Sequence, residues 1–385
     1  MQTERNTWIK GLVLFLVLAL IISTVPSQVY AIAGEALRAK PTTGSKSDTY
    51  TGYTLNRDVY EVTELREENV KHFALADGTY TAAVYAVPVH TQDSSGNWQD
   101  INNRLLDSGS EFSTSNARIK FAKKITGNEV LFTLHDGNRK ITMSLDNAIK
   151  KTVGIVTNNS TEFDSDATEL QKLMTLDNLS STIVYADILD GVDLEYVVES
   201  LNVKENIIVK EKKDSYQYTF TIALNNLEAS LCDDGSVRVY DPETRETVYN
   251  IPAGFMYDAY GKYSTAVTYS LRDNGNGKYS MTVTADAAWI NAEDRAFPVV
   301  IDPTTEVEDL YYFQETSIHQ YMPDETGDAI PFLAAGTLGI AYCKISKLPA
   351  LPNGAAITNA TLRLSPYQSK LLYPNTCTTM TEVIK

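Results

Sequence analysis

Two carboxylates stand two residues apart at Asp193 and Glu195, inside the segment GVDLEY of a predicted strand. Side chains two apart on a strand point to the same face, so these carboxylates lie within mutual reach. Paired carboxylates of this kind perform glycoside hydrolysis. Because catalytic pairs usually come from different strands that meet in a cleft, the sequence favours a solvated strand face, with Leu194 and Tyr196 on the core side.

The other reactive side chains lack the spacing of a catalytic or metal site. The histidines are scattered singly, and the cysteines match no zinc or redox motif. The loop Asp273–Gly277 is similar to a calcium loop, but its twelfth position is Thr284, where an EF-hand needs glutamate. We therefore predict that the chain is not an enzyme and has no catalytic residue, metal or cofactor. The residues concerned are His72, His90, His135, His319, Cys232, Cys343 and Cys377.

Aromatic side chains offer a different kind of site. A flat, amphipathic ring can stack on the face of a sugar, although packing in a core or at a hairpin edge is the commoner fate of such rings. The sequence has 23 tyrosines and three tryptophans. The candidates for glycan stacking are Trp98, Tyr311, Tyr312 and Tyr321.

The N-terminus has the pattern of a secretory signal peptide over residues 1–33. Arg5 and Lys10 precede a short apolar run from Leu12 to Ile22. The run is shorter than the ~20 residues that a membrane-spanning helix needs. Ala31 and Ala33 then form a small-x-small cleavage site, with Gly34 as the first residue of the mature chain. The alternative is an uncleaved anchor extended through Val25, which would leave this segment as the chain's single membrane contact.

Composition limits the class of partner. The chain has 385 residues, 33 of them basic and 49 acidic, and a net charge of −16. Since residues 1–33 contribute a net +1, the remainder carries −17. Neutralising phosphates requires a basic face, so this balance predicts no nucleic-acid partner. It is typical of a soluble extracellular surface.

The chain pattern is that of an all-β protein with one or two short helices. A polar linker covers 34–57. A capping box at Asp58 and Glu61, with a partial apolar stripe to Phe73, predicts a helix, and Ser165–Met174 predicts another. Elsewhere apolar residues alternate with polar ones between Gly/Asn/Asp turns, as in β-sandwiches. The predicted strands are Tyr80–Val89, Glu129–Leu134, Lys140–Leu145, Tyr216–Ile222, Thr265–Leu271 and Tyr279–Val283. The predicted domains are 58–160, 161–305 and 306–385.

Three strings in this order resemble the N-terminal region of large secreted Gram-positive proteins of the wall-associated RHS/YD-repeat type. They are GTYTAAVYAVPVHTQDSSGNWQDINNRL (78–105), GVDLEYVVESLNVKENIIV (191–209) and FPVVIDPT (297–304). The resemblance covers roughly residues 58–305.

A fourth string, AYCKISKLPALPNGAAITNATLRL (341–364), resembles the opening half of a DNRLRE domain, a β-sandwich regarded as carbohydrate-binding in some polysaccharide-degrading enzymes. Ile345 stands where that family usually has phenylalanine, and its namesake hexapeptide and second half are missing. We therefore expect an incomplete β-sandwich over 306–385.

These resemblances lead to one functional expectation and one alternative. The expectation is a non-catalytic, secreted or cell-wall-associated structural or adhesion module, the export and display region of a larger protein. Its partner would be cell-wall or extracellular polysaccharide. The alternative is the accessory carbohydrate-binding front end of a secreted polysaccharide-degrading enzyme whose catalytic domain is missing.

Overall fold

The structure of the protein is a computed structural model, which describes the residues given below. Its residues fall into two compact units. The larger, here called the sandwich unit, contains 102–126, 129–149, 152–158, 178–302 and 306–307. The second unit contains 30–33, 59–101, 166–176, 313–319, 339–345, 349, 356–358 and 360–363.

Strands dominate both units, with two short α-helices and one 3₁₀ turn at Thr63–Leu65. The helices are α1 (Glu169–Met174) and α2 (Ala287–Ile290). The strands are β1 (Tyr30–Ala33), β2 (Val59–Glu61), β3 (Val70–Leu75), β4 (Tyr80–Tyr85), β5 (His90–Gln92), β6 (Trp98–Asp100), β7 (Leu106–Asp107), β8 (Glu111–Ser113), β9 (Ile119–Ala122), β10 (Phe132–Asp136), β11 (Arg139–Leu145), β12 (Gly154–Asn158), β13 (Ser180–Leu189), β14 (Val192–Glu199), β15 (Asn202–Val209), β16 (Gln217–Asn225), β17 (Glu228–Leu231), β18 (Val237–Tyr240), β19 (Thr247–Ile251), β20 (Phe255–Tyr257), β21 (Tyr263–Ser264), β22 (Val267–Gly275), β23 (Lys278–Ala285), β24 (Val299–Asp302), β25 (Glu306–Val307), β26 (Phe313–His319), β27 (Gly339–Ile345) and β28 (Thr361–Arg363).

Two large antiparallel sheets share one hydrophobic core in the sandwich unit. The eight-stranded sheet has the order β22-β23-β16-β11-β10-β9-β8-β7, and the seven-stranded sheet has the order β12-β13-β14-β15-β24-β20-β21. Between them, the Tyr196 ring lies 5.3 Å from the Phe121 ring and 5.9 Å from the Phe132 ring, centroid to centroid. The predicted all-β, sandwich-like fold class is confirmed.

The two-residue period identified the strands of this core correctly. In β16, Tyr218, Phe220 and Ile222 are buried while the residues between them are partly exposed. The predicted pairing across the Asn/Gly-rich turn is the hairpin β22–β23. The predicted hairpin around residues 135–138 is β10–β11, where Asp136 pairs with Arg139 across the turn.

The second unit contains a five-stranded sheet of order β2-β3-β4-β1-β28. Its core includes Phe73, Tyr85 and Met174, and the Tyr85 hydroxyl donates a hydrogen bond to the Met174 carbonyl (2.7 Å). Helix α1 begins after a Thr168 capping box, so the predicted short helix is confirmed within the described residues.

The helix predicted from Asp58 to Phe73 is wrong. This stretch forms β2, the 3₁₀ turn and β3, with Asp58 itself outside the described residues. The first five residues of β3, from Val70, are all buried, which a one-sided helical stripe does not allow. The pairing of β3 with β4 across the turn at Gly78 (φ 78°) outweighs the local helical signal.

In the part of the chain that the structure describes, no helix has the length and hydropathy needed to cross a membrane. Residues 12–22 lie outside that part. The domain boundaries at 58, 161 and 306 stay predictions. Both large sheets draw strands from before and after residue 160.

Three acids are buried among the described residues of the sandwich unit: Glu205, Asp258 and Asp302. Glu205 in β15 is 2% exposed and lies directly opposite Tyr196 of β14. Burial raises the pKa of Glu205 to about 8; the Tyr196 hydroxyl opposes the rise and Asp302 adds to it. The carboxyl is therefore neutral in the folded protein at pH 7.

This pKa predicts how stability depends on pH. An unfolded glutamate ionises near pH 4.3, so between there and about pH 8 the unfolded state loses its proton while the folded state keeps it. The free energy of unfolding therefore falls as pH rises through this window. We expect Glu205→Gln to be stabilising relative to wild type at pH 8, and the gain to disappear by pH 4. Within the window the difference should grow by roughly 1.4 kcal/mol per pH unit.

Denaturant unfolding of both proteins at pH 4, 6 and 8 measures the difference. Glu246→Gln is the matched control because Glu246 is exposed, and its difference from wild type should stay flat with pH. A gain from Glu205→Gln of equal size at all three pH values would contradict the assignment.

Candidate functional site

A dense group of charged side chains lies in the second unit. We call Glu61, Arg66, Lys71, His90 and Asp100 the charged cluster. Glu61 ends β2, Arg66 follows the 3₁₀ turn, and Lys71 lies in β3. His90 and Asp100 form a cross-strand pair in the hairpin β5–β6. The cluster therefore lies where this hairpin meets the strands β2 and β3.

Arg66 makes the most hydrogen bonds in the charged cluster. Its Nε and Nη2 donate to the two carboxylate oxygens of Glu61 at 2.7 and 3.0 Å. Nη2 also donates to Oδ2 of Asp100 at 2.9 Å, and Nη1 donates to the backbone oxygen of Trp98 at 3.4 Å. A bidentate guanidinium–carboxylate pair of this type fixes geometry as well as charge.

Lys71 and His90 are the other two basic residues of the charged cluster. Lys71 Nζ donates to Oδ1 of Asp100 at 2.5 Å and lies 3.7 Å from Glu61 Oε2. His90 Nδ1 lies 2.5 Å from the Glu67 carbonyl, which assigns the proton to Nδ1. The other ring nitrogen, Nε2, lies 3.5 Å from Asp100 and 3.8 Å from Glu61.

Burial and local charge set the protonation of these groups. Burial lowers the pKa of His90; the Glu67 carbonyl opposes this, and Lys71 and Arg66 lower it further. Burial also lowers the pKa of the neighbouring His72, against the opposing effect of Glu67. Burial alone would raise the pKa of Asp100, but Lys71 and Arg66 hold it below its ordinary value. At neutral pH the cluster thus has two cations, two anions and a neutral imidazole.

This arrangement suits a structural clamp. Each cation already has a carboxylate partner, and the Arg66, Lys71 and His90 side chains are at most 10% exposed. Asp100, 51% exposed, is the member most open to solvent. The cluster therefore ties the hairpin β5–β6 to the sheet. Among the described residues, no group of three or more His, Cys, Asp or Glu side chains is placed to hold a metal ion.

Sequence reasoning missed this cluster because it treated the histidines singly. The signal was present in part, since the polar turn at residues 93–97 implies a hairpin that places His90 opposite Asp100. The contribution of Arg66 and Lys71 depends on how the hairpin packs on β2 and β3. No local pattern specifies that contact.

Of the predicted site residues, Trp98, Ala31 and Ala33 lie in the part of the chain that the structure describes. Trp98 lies in β6 beside the charged cluster, its ring 6.5 Å from the His90 ring, and its stacking role stays a prediction. Ala31 and Ala33 lie in β1, which pairs with β4 and β28. Four predicted residues lie outside the described part: Gly34, Tyr311, Tyr312 and Tyr321.

The carboxylates of Asp193 and Glu195 lie on one face of β14, as the alternation predicts. Asp193 Oδ1 accepts hydrogen bonds from the Asp187 backbone N–H and from Lys210 Nζ, both at 2.7 Å. Glu195 Oε1 accepts one from Asn206 Nδ2 at 2.8 Å. Their partners are therefore neighbouring protein groups on the same sheet.

Comparison with known proteins gives a clear set of relatives. The tRNA nuclease WapA of Bacillus subtilis (strain 168) is 30% identical over 79% of this chain. The tRNA(Glu)-specific nuclease WapA of Bacillus subtilis subsp. natto is 32% identical over 76% of this chain. The tRNA3(Ser)-specific nuclease WapA of Bacillus spizizenii is 28% identical over 79%. This chain is similar to part of these nucleases. It covers 13% of the length of each.

A fourth relative is a wall-associated protein of Geobacillus stearothermophilus. It is 25% identical over 52% of this chain, which covers 75% of that protein. The chain therefore has weak, partial homology to a Gram-positive wall-associated protein, and the expected resemblance is confirmed at this level. No family model and no solved structure matches the chain.

The nuclease relatives overturn three expectations. The expected non-catalytic adhesion module, with its accessory carbohydrate-binding alternative, is wrong. So are the expectations that the chain is not an enzyme and that it has no nucleic-acid partner. The physical error lay in reading a net charge of −17 as the property of every surface. Net charge bears on solubility and long-range attraction, whereas contact with a phosphate depends on the few cations next to it.

The clamp predicts an effect of Asp100→Asn. The substitution keeps the side-chain shape but leaves Lys71 with Glu61 at 3.7 Å as its remaining anion within the charged cluster. Separating a buried charge from its partner is costly, although the half-exposed Asp100 limits the loss through solvent screening. We expect the free energy of unfolding of the second unit to fall by about 1–2 kcal/mol.

Hydrogen exchange of the amides in β3 and β5, followed by mass spectrometry, measures this loss. Glu169→Gln is the matched control because it removes one carboxylate from the exposed pair with Lys172. The control should change stability by less than ~0.5 kcal/mol. Equal exchange in Asp100→Asn and the control would show that the charged cluster is no clamp.

Proposed function

We propose that this chain is a region of a wall-associated tRNA nuclease, and that tRNA is the substrate of the whole protein. The observation that carries the proposal is the alignment of 76–79% of the chain with three proteins named as tRNA nucleases. The similarity to a wall-associated protein supports its location at the cell wall.

The architecture of the longer protein is a further part of the proposal. We propose that it is of the RHS/YD-repeat type and that residues 341–364 open a DNRLRE-type domain. The support is the order of the sequence strings at 78–105, 191–209, 297–304 and 341–364. The first three strings together supply strands to the second unit and to the seven-stranded sheet of the sandwich unit.

The nuclease proposal predicts tRNA cleavage by the protein as its own cells make it. An antibody raised against residues 59–302 isolates that protein from the cell surface of the producing organism. We expect the isolated protein to convert intact tRNA into discrete fragments on a denaturing gel. The control is the same isolation from a strain that lacks the gene. Intact tRNA after incubation with a stoichiometric amount of the isolated protein would contradict the proposal.

Export through a cleaved signal peptide is the proposed route to the wall. The support is the short apolar run after Arg5 and Lys10, followed by Ala31 and Ala33. Cleavage after Ala33 would remove β1, so β4 and β28 would no longer be joined through it.

N-terminal sequencing of the exported protein tests this route, and we expect Gly34 as the first residue. Ala33→Phe should block processing because the site before the cut needs a small side chain. Ile32→Phe is the matched control, since the middle position of the small-x-small site tolerates bulk. An exported protein that begins at Met1 would show that the segment stays attached.

A further inference from the structure

A cleft of about 710 Å³ opens on the sandwich unit beside β8, β9 and β10. We call it the lysine cleft, after Lys120, Lys123 and Lys124 in its lining. They belong to the segment RIKFAKK (118–124), which has four basic residues and no acidic one in a chain of net charge −16. Arg118 is held elsewhere, since its Nη2 donates to the Leu201 carbonyl at 3.2 Å. The lining of the cleft thus has three lysines beside two carboxylates, those of Glu111 and Glu129.

The ion pairs of these lysines are easily exchanged. Lys120 Nζ lies 2.9 Å from Glu111 Oε1, and Lys123 Nζ pairs with Asp107. Each of these four side chains is 30–54% exposed. Exposed pairs contribute only ~0–1 kcal/mol, so a phosphate oxygen can replace a carboxylate at little cost. Lys124 is exposed at the same cleft.

Apolar side chains lie next to the lysines. Val130 is 42% exposed and Val153 is 49% exposed, and both line the lysine cleft. The backbone bridge between Lys124 and Val153 fixes one side of the cleft. An unpaired nucleotide has an apolar base face next to a charged phosphate, so the valines can bury part of the base while the ammonium groups contact the phosphate.

We propose that the lysine cleft binds the phosphodiester backbone of unpaired RNA, as found in the loops and 3′ end of a tRNA. The choice of RNA over other polyanions rests on the proposed function. The volume lies within the ~300–1,000 Å³ of small-ligand sites, so the cleft holds a short stretch of nucleotides rather than a duplex. The acidic remainder of the protein repels polyanions, which keeps the binding weak and dependent on salt.

The test measures fluorescence anisotropy of a labelled 12-nucleotide single-stranded RNA and of labelled unfractionated tRNA with the full chain. At 50 mM salt we expect binding of both probes. Lys123→Gln with Lys124→Gln should weaken it roughly 10-fold. The slope of log K against log salt should fall by about 1.4, because each lost phosphate contact on a single strand contributes ~0.7.

Lys172→Gln with Lys278→Gln is the matched control. It removes the same charge from one ion-paired lysine and from one exposed lysine in a strand, both outside the cleft. The control should bind both probes as wild type does. Equal circular dichroism spectra and unfolding midpoints establish that both double variants fold.

Three results would overturn the proposal. They are no binding of either RNA, equal weakening by the control, and equally tight, variant-sensitive binding of inorganic polyphosphate, which would make the site a general anion site. The proposed function fails separately. If the isolated protein leaves tRNA intact while Lys123→Gln with Lys124→Gln still weakens RNA binding, the proposed RNA site holds and the proposed nuclease function fails. If tRNA is cleaved but the double variant binds RNA as wild type does, the proposed nuclease function holds and the proposed RNA site fails.

Discussion

The burial of two sheet faces against each other is the constraint on which the sandwich unit depends. A sheet with one apolar face must cover that face, and a second sheet does so at ~10 Å. Tyr196 shows the contact directly, since its ring touches Phe121 and Phe132 of the facing sheet. Once this face is buried, each strand's alternate residues point to solvent. The outward Lys120 of β9, which lines the lysine cleft, is a consequence of that alternation.

The same constraint explains what sequence could predict. Strands such as β16 and β23 bury every second residue, so their two-residue period identifies them without further information. Turns with Asn and Gly then give the hairpin β22–β23. In contrast, β3 is buried on both faces and lacks the two-residue period, which is why the partial apolar stripe there wrongly predicts a helix.

The two candidate sites differ in how far the sequence alone predicts them. The charged cluster joins residues 61, 66, 71, 90 and 100 through packing between a hairpin and a sheet, and no local pattern gives that packing. The lysine cleft differs, because four of the seven residues of RIKFAKK are basic, a local excess that the whole-chain charge of −16 does not show. An average over 385 residues says little about three ammonium groups on one surface. Binding to a nucleic acid depends on the charges of the local surface that contacts it.

Ultraviolet cross-linking of tRNA to the isolated protein, followed by mass spectrometry of the cross-linked peptides, tests the central claim most directly. The claim is that this chain belongs to a protein acting on tRNA and contacts the RNA through the lysine cleft. The account predicts cross-links within residues 118–133, which supply most of the cleft lining, and a loss of those cross-links in the Lys123→Gln, Lys124→Gln variant. Cross-links elsewhere on the sandwich unit that are unchanged in the variant, or no cross-link to this chain, would contradict it.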